Sequence, residues 1–318
     1  MAVTMSDISK LRKLTGAGMM DCKKALEETN CDMDAAVEII RKKGQAVAAK
    51  REDREASEGC VLSAATADFC AIVALKCETD FVAKNEGFVA LTKAILDAAV
   101  AAKAKSLDEV KELEVNGRKV ADLIVEEIGK TGEKMELGAY ECLEGAGTTC
   151  YDHLGNKLST IATFTKPVER QVGRNVAMQI ASMNPVSVSR NDVPKEIVEK
   201  EFEIARDKAR EEGKPEAMLD KIAEGRLNKF YKESCLLEQE FIMDPALTIE
   251  KYLKGVDADL TVTAFKRVNL NVDSSSRTST IRTLRKPHGS GVFLLHYVLL
   301  FWLCLKATGR SCSVFLWQ

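Results

Sequence analysis

Residues 195–231 constrain the fold more than any other stretch of this chain. Two charged amphipathic segments flank Gly213-Lys214-Pro215. Val198, Phe202, Ala205 and Ala209 recur at helical spacing, and Leu219, Ala223, Leu227 and Phe230 answer them on the other side. That is the pattern of an antiparallel helical hairpin. Its apolar seam is narrow and its other faces are charged, so it should project from a body rather than enter a core. The body must therefore come from the residues on either side.

The first 45 residues read as three short helices. Ser6 or Asp7 can cap the first, with Ile8, Leu11 and Leu14 on one face. Thr15-Gly16-Ala17-Gly18 breaks it. The second runs over about residues 19–28 with Cys22, Ala25 and Leu26 inward. Asp32 or Asp34 starts the third, which carries Ala36, Val37, Ile39 and Ile40 before Gly44 stops it. So few residues bury little area, so this unit should be marginal alone. Residues 46–58 read as a helical or extended linker.

Strand pattern then begins. Residues 60–65 and 69–77 are separated by Thr66-Ala67-Asp68, a hairpin signal. A long helix is expected over residues 82–104 and another over 120–128. Residues 140–143 and 158–164 read as strands around a Gly-containing turn, and residues 168–183 as a helix ended by Asn184-Pro185. After the helical hairpin, strands are expected at 234–237 and 261–270, with a short helix near 248–254 between them.

The 318-residue chain has ordinary apolar (46%) and charged (30%) fractions for a soluble protein. Its net charge of −2 hides an asymmetry: residues 274–318 hold six basic and no acidic residues, so the remainder carries −8. An acidic body argues against direct nucleic acid binding. Residues 274–280 look like a linker. Residues 292–305 are mostly Phe, Leu, Val and Trp, too short a run to span a bilayer. The stretch 274–318 is an atypical, poorly ordered tail by this reading, either an extension without a selected fold, a membrane- or partner-binding segment, or a domain element. No membrane contact is expected for residues 1–273. The ten cysteines form no C-x-x-C pair and no zinc spacing. With no secretory signal at the start, a reducing cytoplasm is the expected compartment, and most of the thiols should be small core residues.

Motifs for catalysis do not emerge. Gly129-Lys130-Thr131 lacks the earlier glycine of a phosphate loop, since Ile124 and Val125 lie in helix pattern there; a helix-terminal Gly followed by a turn explains it better. No H-E-x-x-H or G-x-S-x-G occurs. His153 is the one histidine before the tail, and no Cys or Ser is tied to it by a motif. The expectation is a protein that is not an enzyme and uses neither cofactor nor metal.

Two features suggest protein binding. In Cys77-Glu78-Thr79-Asp80-Phe81-Val82-Ala83-Lys84-Asn85, a strand gives way to a helix. Thr79 or Asp80 can cap that helix with Phe81 as a staple-like residue. The rival reading is that Asp80 and Phe81 stand at an exposed turn and enter a partner. The second feature is Arg12 with Met19-Met20. Two adjacent Met cannot both face the core of one short helix. One should lie at the surface, where a flexible thioether suits protein binding, unless it is only a chance of helix start.

Taken together, these stretches resemble the bacterial elongation factor Ts family. The matching motifs are Leu11-Arg12-Lys13-Leu14-Thr15-Gly16-Ala17-Gly18-Met19-Met20-Asp21-Cys22-Lys23-Lys24-Ala25-Leu26 and Lys76-Cys77-Glu78-Thr79-Asp80-Phe81-Val82-Ala83-Lys84-Asn85. Val176-Ala177-Met178-Gln179-Ile180 and Glu224-Gly225-Arg226-Leu227-Asn228-Lys229-Phe230 add to them. The resemblance covers about residues 3–272 and leaves out the tail.

The resemblance implies an α+β fold: a ubiquitin-associated-like three-helix domain at 1–45, a linker at 46–58, a two-part core with antiparallel sheets at 59–191 and 232–273, and the projecting coiled-coil hairpin at 192–231. It implies guanine-nucleotide exchange on elongation factor Tu in its GDP-bound and nucleotide-free states. The turn Thr79, Asp80, Phe81, Val82 would disturb the partner's Mg²⁺ site. Arg12, Met19 and Met20 would contact its GTPase domain. Tyr151 and His153 would lie in the core half that meets a second domain of the partner. The competing reading is a protein-binding module of ubiquitin-associated type without exchange activity.

Overall fold

A computed structural model describes residues 3–270. The expected run over residues 292–305, and the tail that carries it, lie outside the described residues.

Three helices open the chain: α1 (Met5–Thr15), α2 (Met19–Glu28) and α3 (Met33–Lys50). Thr4, not Ser6 or Asp7, caps α1. Its hydroxyl accepts the Asp7 N–H at 3.2 Å, and the Asp7 carboxylate accepts the Thr4 N–H at 3.3 Å. Gly16, at φ 68°, ends α1 in the left-handed region that glycine enters freely. The inward face is Ile8, Leu11 and Thr15, whose hydroxyl bonds the Leu11 carbonyl at 2.8 Å; Leu14, expected inside, is exposed. Asp32 caps α3, accepting from the Asp34 and Ala35 N–H groups. Gly44 does not stop that helix. It is buried within it, and α3 runs on to Lys50.

The body is four layers deep. One sheet has the order β1–β2–β5, from Glu58–Ala65, Phe69–Cys77 and Met135–Glu144, with every pairing antiparallel. A second has the order β10–β7–β6, from Val262–Asn269, Leu158–Phe164 and Gly147–Asp152, also antiparallel. The sheets pack face to face through Val61, Cys70, Ile72, Ala74 and Ile161. The outer face of the first sheet packs on α5 (Glu86–Ala102), α6 (Leu107–Glu112) and α7 (Val120–Thr131) through Phe69, Val73, Leu75, Phe88, Ile95 and Ile124. The outer face of the second packs on α8 (Arg170–Met183) and α11 (Ile249–Val256). This double coverage explains why β2 reads as an almost unbroken apolar run rather than an alternating one.

The helix expected over residues 82–104 is two. A single turn, α4 (Asp80–Ala83), is followed by a break at Asn85, whose side chain accepts the Gly87 N–H at 2.8 Å and starts α5 afresh. Likewise α7 continues past Ile128 and Gly129 to Thr131, and Gly132 at φ 72° ends it. Two short ribbons, β3–β4 (Glu114–Val115, Arg118–Lys119) and β8–β9 (Glu240–Phe241, Asp244–Thr248), are separate two-stranded sheets.

The helical hairpin is α9 (Lys195–Glu211) and α10 (Leu219–Ser234). Ala205, Ala209, Leu219 and Ala223 form its buried seam; Val198, Phe202, Leu227 and Phe230 flank it half-buried. The helix continues through Ser234 where a strand was expected, and the neighbouring pairing is a parallel bridge of Ser187 with Cys235. Of the cysteines among the described residues, Cys22, Cys60, Cys70, Cys77 and Cys235 are buried.

Candidate partner-binding site

Phe81 is 84% exposed. It is the second residue of α4, so it belongs to a turn and not to the staple that a buried ring would form. The turn itself is firmly made. Thr79 has extended backbone angles (φ −120°, ψ 154°), and its hydroxyl caps the Val82 N–H. Asp80 receives the Lys84 ammonium at 2.6 Å, and that bond holds the Asp80 carboxyl below its ordinary pKa. Val82 and Ala83 turn inward and pack with the α5 core. Alternation of inward and outward groups in one turn therefore leaves the Phe81 ring facing solvent.

Arg12, Met19 and Met20 are all exposed, the two thioethers at 47% and 62%. Both Met therefore face outward, where one was expected to. Leu14, which the sequence reading turned inward, stands with them at the α1–α2 corner, 60% exposed. Helical period favours eight, eleven and fifteen over eight, eleven and fourteen; Leu14 is the choice in sequence only because it is apolar, and the Thr15 hydroxyl enters the inner face by bonding the Leu11 carbonyl.

Tyr151 is the last residue but one of β6, and His153 follows the strand's end at Asp152. The Tyr151 hydroxyl and His153 Nδ1 lie 3.0 Å apart. The Arg174 guanidinium sits 5.2 Å from the Tyr151 ring centroid, within cation–π range. Asp152 anchors the strand end to β1: its Oδ1 accepts the Ser63 N–H at 2.8 Å and the Ser159 hydroxyl at 2.7 Å. Beyond it Leu154 is 86% exposed, a second apolar side chain at a tip and one that sequence reading passed over. Its only signal was an aliphatic residue inside a polar turn.

The Phe81 turn and the β6–β7 tip both abut β1. The α4 turn packs on that strand. The tip meets it through the Val61 N–H, which donates to the Asn156 carbonyl at 2.7 Å, and through the Lys157–Glu58 ion pair at 2.7 Å. Arg12, Met19 and Met20 belong to a separate part of the surface, on the N-terminal helices. Among the described residues no group of three or more His, Cys, Asp or Glu is placed to hold a metal ion. Nor is any helix of the described residues long and apolar enough to cross a membrane.

Comparison with known proteins bears on this architecture. Residues 78–272 match the family model described as Elongation factor TS, which puts the chain among the translation elongation factors. Elongation factor Ts of Porphyromonas gingivalis (strain ATCC 33277) is 59% identical over 274 residues, covering 86% of this chain and 100% of that protein. The same-named proteins of Azobacteroides pseudotrichonymphae and Parabacteroides distasonis are 54% and 46% identical, each again covered completely by 86% of this chain. The chain belongs to the elongation factor Ts family. Membership implies nucleotide exchange on elongation factor Tu in translation elongation.

Proposed function

We propose that this protein binds elongation factor Tu·GDP in the cytoplasm and expels GDP by pressing the Asp80-Phe81 turn into the partner near its Mg²⁺ and phosphate site. The observation that carries this reading is the 84% exposure of Phe81 on a turn closed at both ends, by the Thr79 hydroxyl on the Val82 N–H and by the Lys84 N–H on the Asp80 carbonyl. Burying a Phe side chain in a partner groove yields roughly 1.5–3 kcal/mol, and about 1.4 kcal/mol is tenfold in affinity. A GTPase holds GDP through backbone amides and a Mg²⁺ that tolerates little departure from octahedral geometry, so a small displacement of those loops is costly to the nucleotide.

In this reading the three-helix unit of residues 1–45 offers Arg12, Met19 and Met20 to the GTPase domain. Tyr151 and His153 face a second domain. The linkage is reciprocal: if the factor weakens GDP, GDP weakens the factor to the same degree, and incoming nucleotide releases it. No covalent step is required.

The test is stopped-flow release of a fluorescent GDP from elongation factor Tu. The protein should accelerate release, and Phe81→Ala should slow that release roughly tenfold or more. Equal acceleration by both proteins would refute the role of the ring. Capture of GDP-loaded elongation factor Tu without any acceleration would favour the binding module that lacks exchange.

A further inference from the structure

The turn that carries Phe81 is gripped from behind by one carboxylate. Glu133 follows Gly132, the residue that ends α7. Its Oε2 accepts the Thr79 backbone N–H at 3.1 Å, and its Oε1 accepts the Thr79 hydroxyl at 2.7 Å. Thr79 is the N-cap of α4, so both polar groups that fix where this helix begins are bound by the same side chain. The neighbouring residue bonds one step earlier in the opposite sense. The Lys134 N–H donates to Glu78 Oε1 at 2.7 Å, and Glu78 also receives Arg51 at 3.0 Å and Arg54 at 3.2 Å. Behind them the Cys77 thiol donates to the Thr79 carbonyl at 3.2 Å.

A helix of four residues cannot hold its own shape, because its nucleus costs more than its few hydrogen bonds return. Its geometry is therefore set by what clamps its start. Glu133 is also placed against a local preference: an acid just past the end of α7 faces the negative end of that helix's dipole. What it gains in return is a bidentate, charge-assisted pair of bonds to Thr79. The helix that delivers it is not free to wander, since Gly129 in the same helix lies against Gly44 of α3.

We propose that Glu133 is a positioning residue for nucleotide exchange: it stiffens the Asp80-Phe81 turn so that the exposed ring displaces partner atoms instead of bending back. The inference rests on the wedge role proposed for Phe81. A loose turn would have to be ordered on docking, and that ordering would be drawn from the binding energy meant for the partner's nucleotide site.

The experiment is a cycle of four full-length proteins: the parent, Phe81→Ala, Glu133→Ala and the double variant, each titrated in the GDP-release assay. Glu133→Ala should lower the release rate at saturating factor by roughly tenfold, the scale of lost hydrogen bonds to a charged group. The concentration for half-saturation should change much less, because the other contact surfaces remain. The double variant should be no slower than Phe81→Ala, since Glu133 acts through the ring. Glu133→Gln, which keeps one acceptor, should recover part of the rate; it also serves if Glu133→Ala fails to fold. Amide hydrogen exchange at Val82 and Ala83, whose N–H groups bond Thr79, should quicken in Glu133→Gln while the α5 core stays protected.

Full release by Glu133→Ala and Glu133→Gln, with Phe81→Ala slow, would overturn this inference and leave the wedge intact. Additive losses in the double variant would overturn it too, since Glu133 would then act elsewhere. An unaffected Phe81→Ala would remove the wedge itself and this inference with it.

Discussion

Gly44 of α3 and Gly129 of α7 meet backbone to backbone. A Cβ on Gly129 would stand 3.0 Å from the Gly44 Cα, and one on Gly44 would stand 3.1 Å from the Val125 carbonyl oxygen. Each glycine lies inside a helix, where it is less stable than Ala by roughly 0.5–1 kcal/mol. The close crossing offsets that loss by letting the N-terminal helices seat directly on the body. The Arg41–Asp122 pair at 3.9 Å adds a weaker polar contact across the same two helices. This crossing sets the separation between the exposed Met19 and Met20 and the turn that α7 supports.

Gly129→Leu should therefore unseat the N-terminal helices without unfolding the sheets. A branched side chain has no room against α3, and overpacking of this kind costs typically 1–3 kcal/mol. Limited proteolysis is expected to cut the segment after Lys50 faster than in the parent, while the fragment containing residues 58–270 resists. If the two digests are indistinguishable, the crossing does not hold the helices in place.

Phe81 and Phe88 make opposite predictions although they lie one helix break apart. Phe81→Ala should shift stability by no more than about 0.5 kcal/mol, as for other exposed positions. Phe88 is 1% exposed and packs in the core between α5 and the first sheet. Phe88→Ala should cost about 3–5 kcal/mol. Urea unfolding of both variants checks the pair, and a large loss for Phe81→Ala would mean that its ring supports the fold.

How far these features can be read without coordinates depends on the range of the interaction that creates them. The helical hairpin is legible because its seam repeats within a few residues, and the first sheet's hairpin because Thr66-Ala67-Asp68 punctuates two apolar runs. Helical period places one of Met19 and Met20 at the surface, but not both, as the fold has them. Gly44 is misread as a stop, since a helix-ending glycine is the commoner case; only α7 makes it a good interior residue. Thr79 and Glu133 are 54 residues apart, so nothing local announces the bond between them. The Thr4 cap escapes for a smaller reason: Ser6 and Asp7 are equally good capping residues by type, and helix ends are uncertain by a residue or two.

Three thiols at the sheets should be chemically silent. Burial pushes Cys60 up to about 11, and Cys70 and Cys77 up to about 12. The thiolate is the reactive form, so at pH 8 these groups hold roughly one part in a thousand or less of it. Peptide-resolved alkylation of the native protein is expected to leave all three unmodified, and denaturant should expose them together with loss of the sheets. Rapid native labelling of Cys70 would contradict the face-to-face packing of the two sheets.

Glu78 links acid stability to the base of the Phe81 turn. Its carboxyl is held below the ordinary value of 4.5 by the Lys134 backbone N–H first and by Arg51 and Arg54 after it. Because the folded-state value is the lower one, the unfolded chain binds more protons as the pH falls past 4.5, and stability rises with pH across that window. The contribution is complete above the unfolded value and is lost as pH drops through the folded one. Glu78→Gln removes the titration while keeping the shape of the side chain. At pH 7 the variant should be less stable by on the order of 1 kcal/mol, since Arg54 in this cluster is largely exposed to water. As the pH falls through the parent's lowered folded-state value the two proteins should converge, because its carboxyl then becomes neutral. Urea midpoints measured from pH 7 to pH 3 test this directly, and curves that stay parallel throughout would mean that Glu78 does not carry its charge into these bonds.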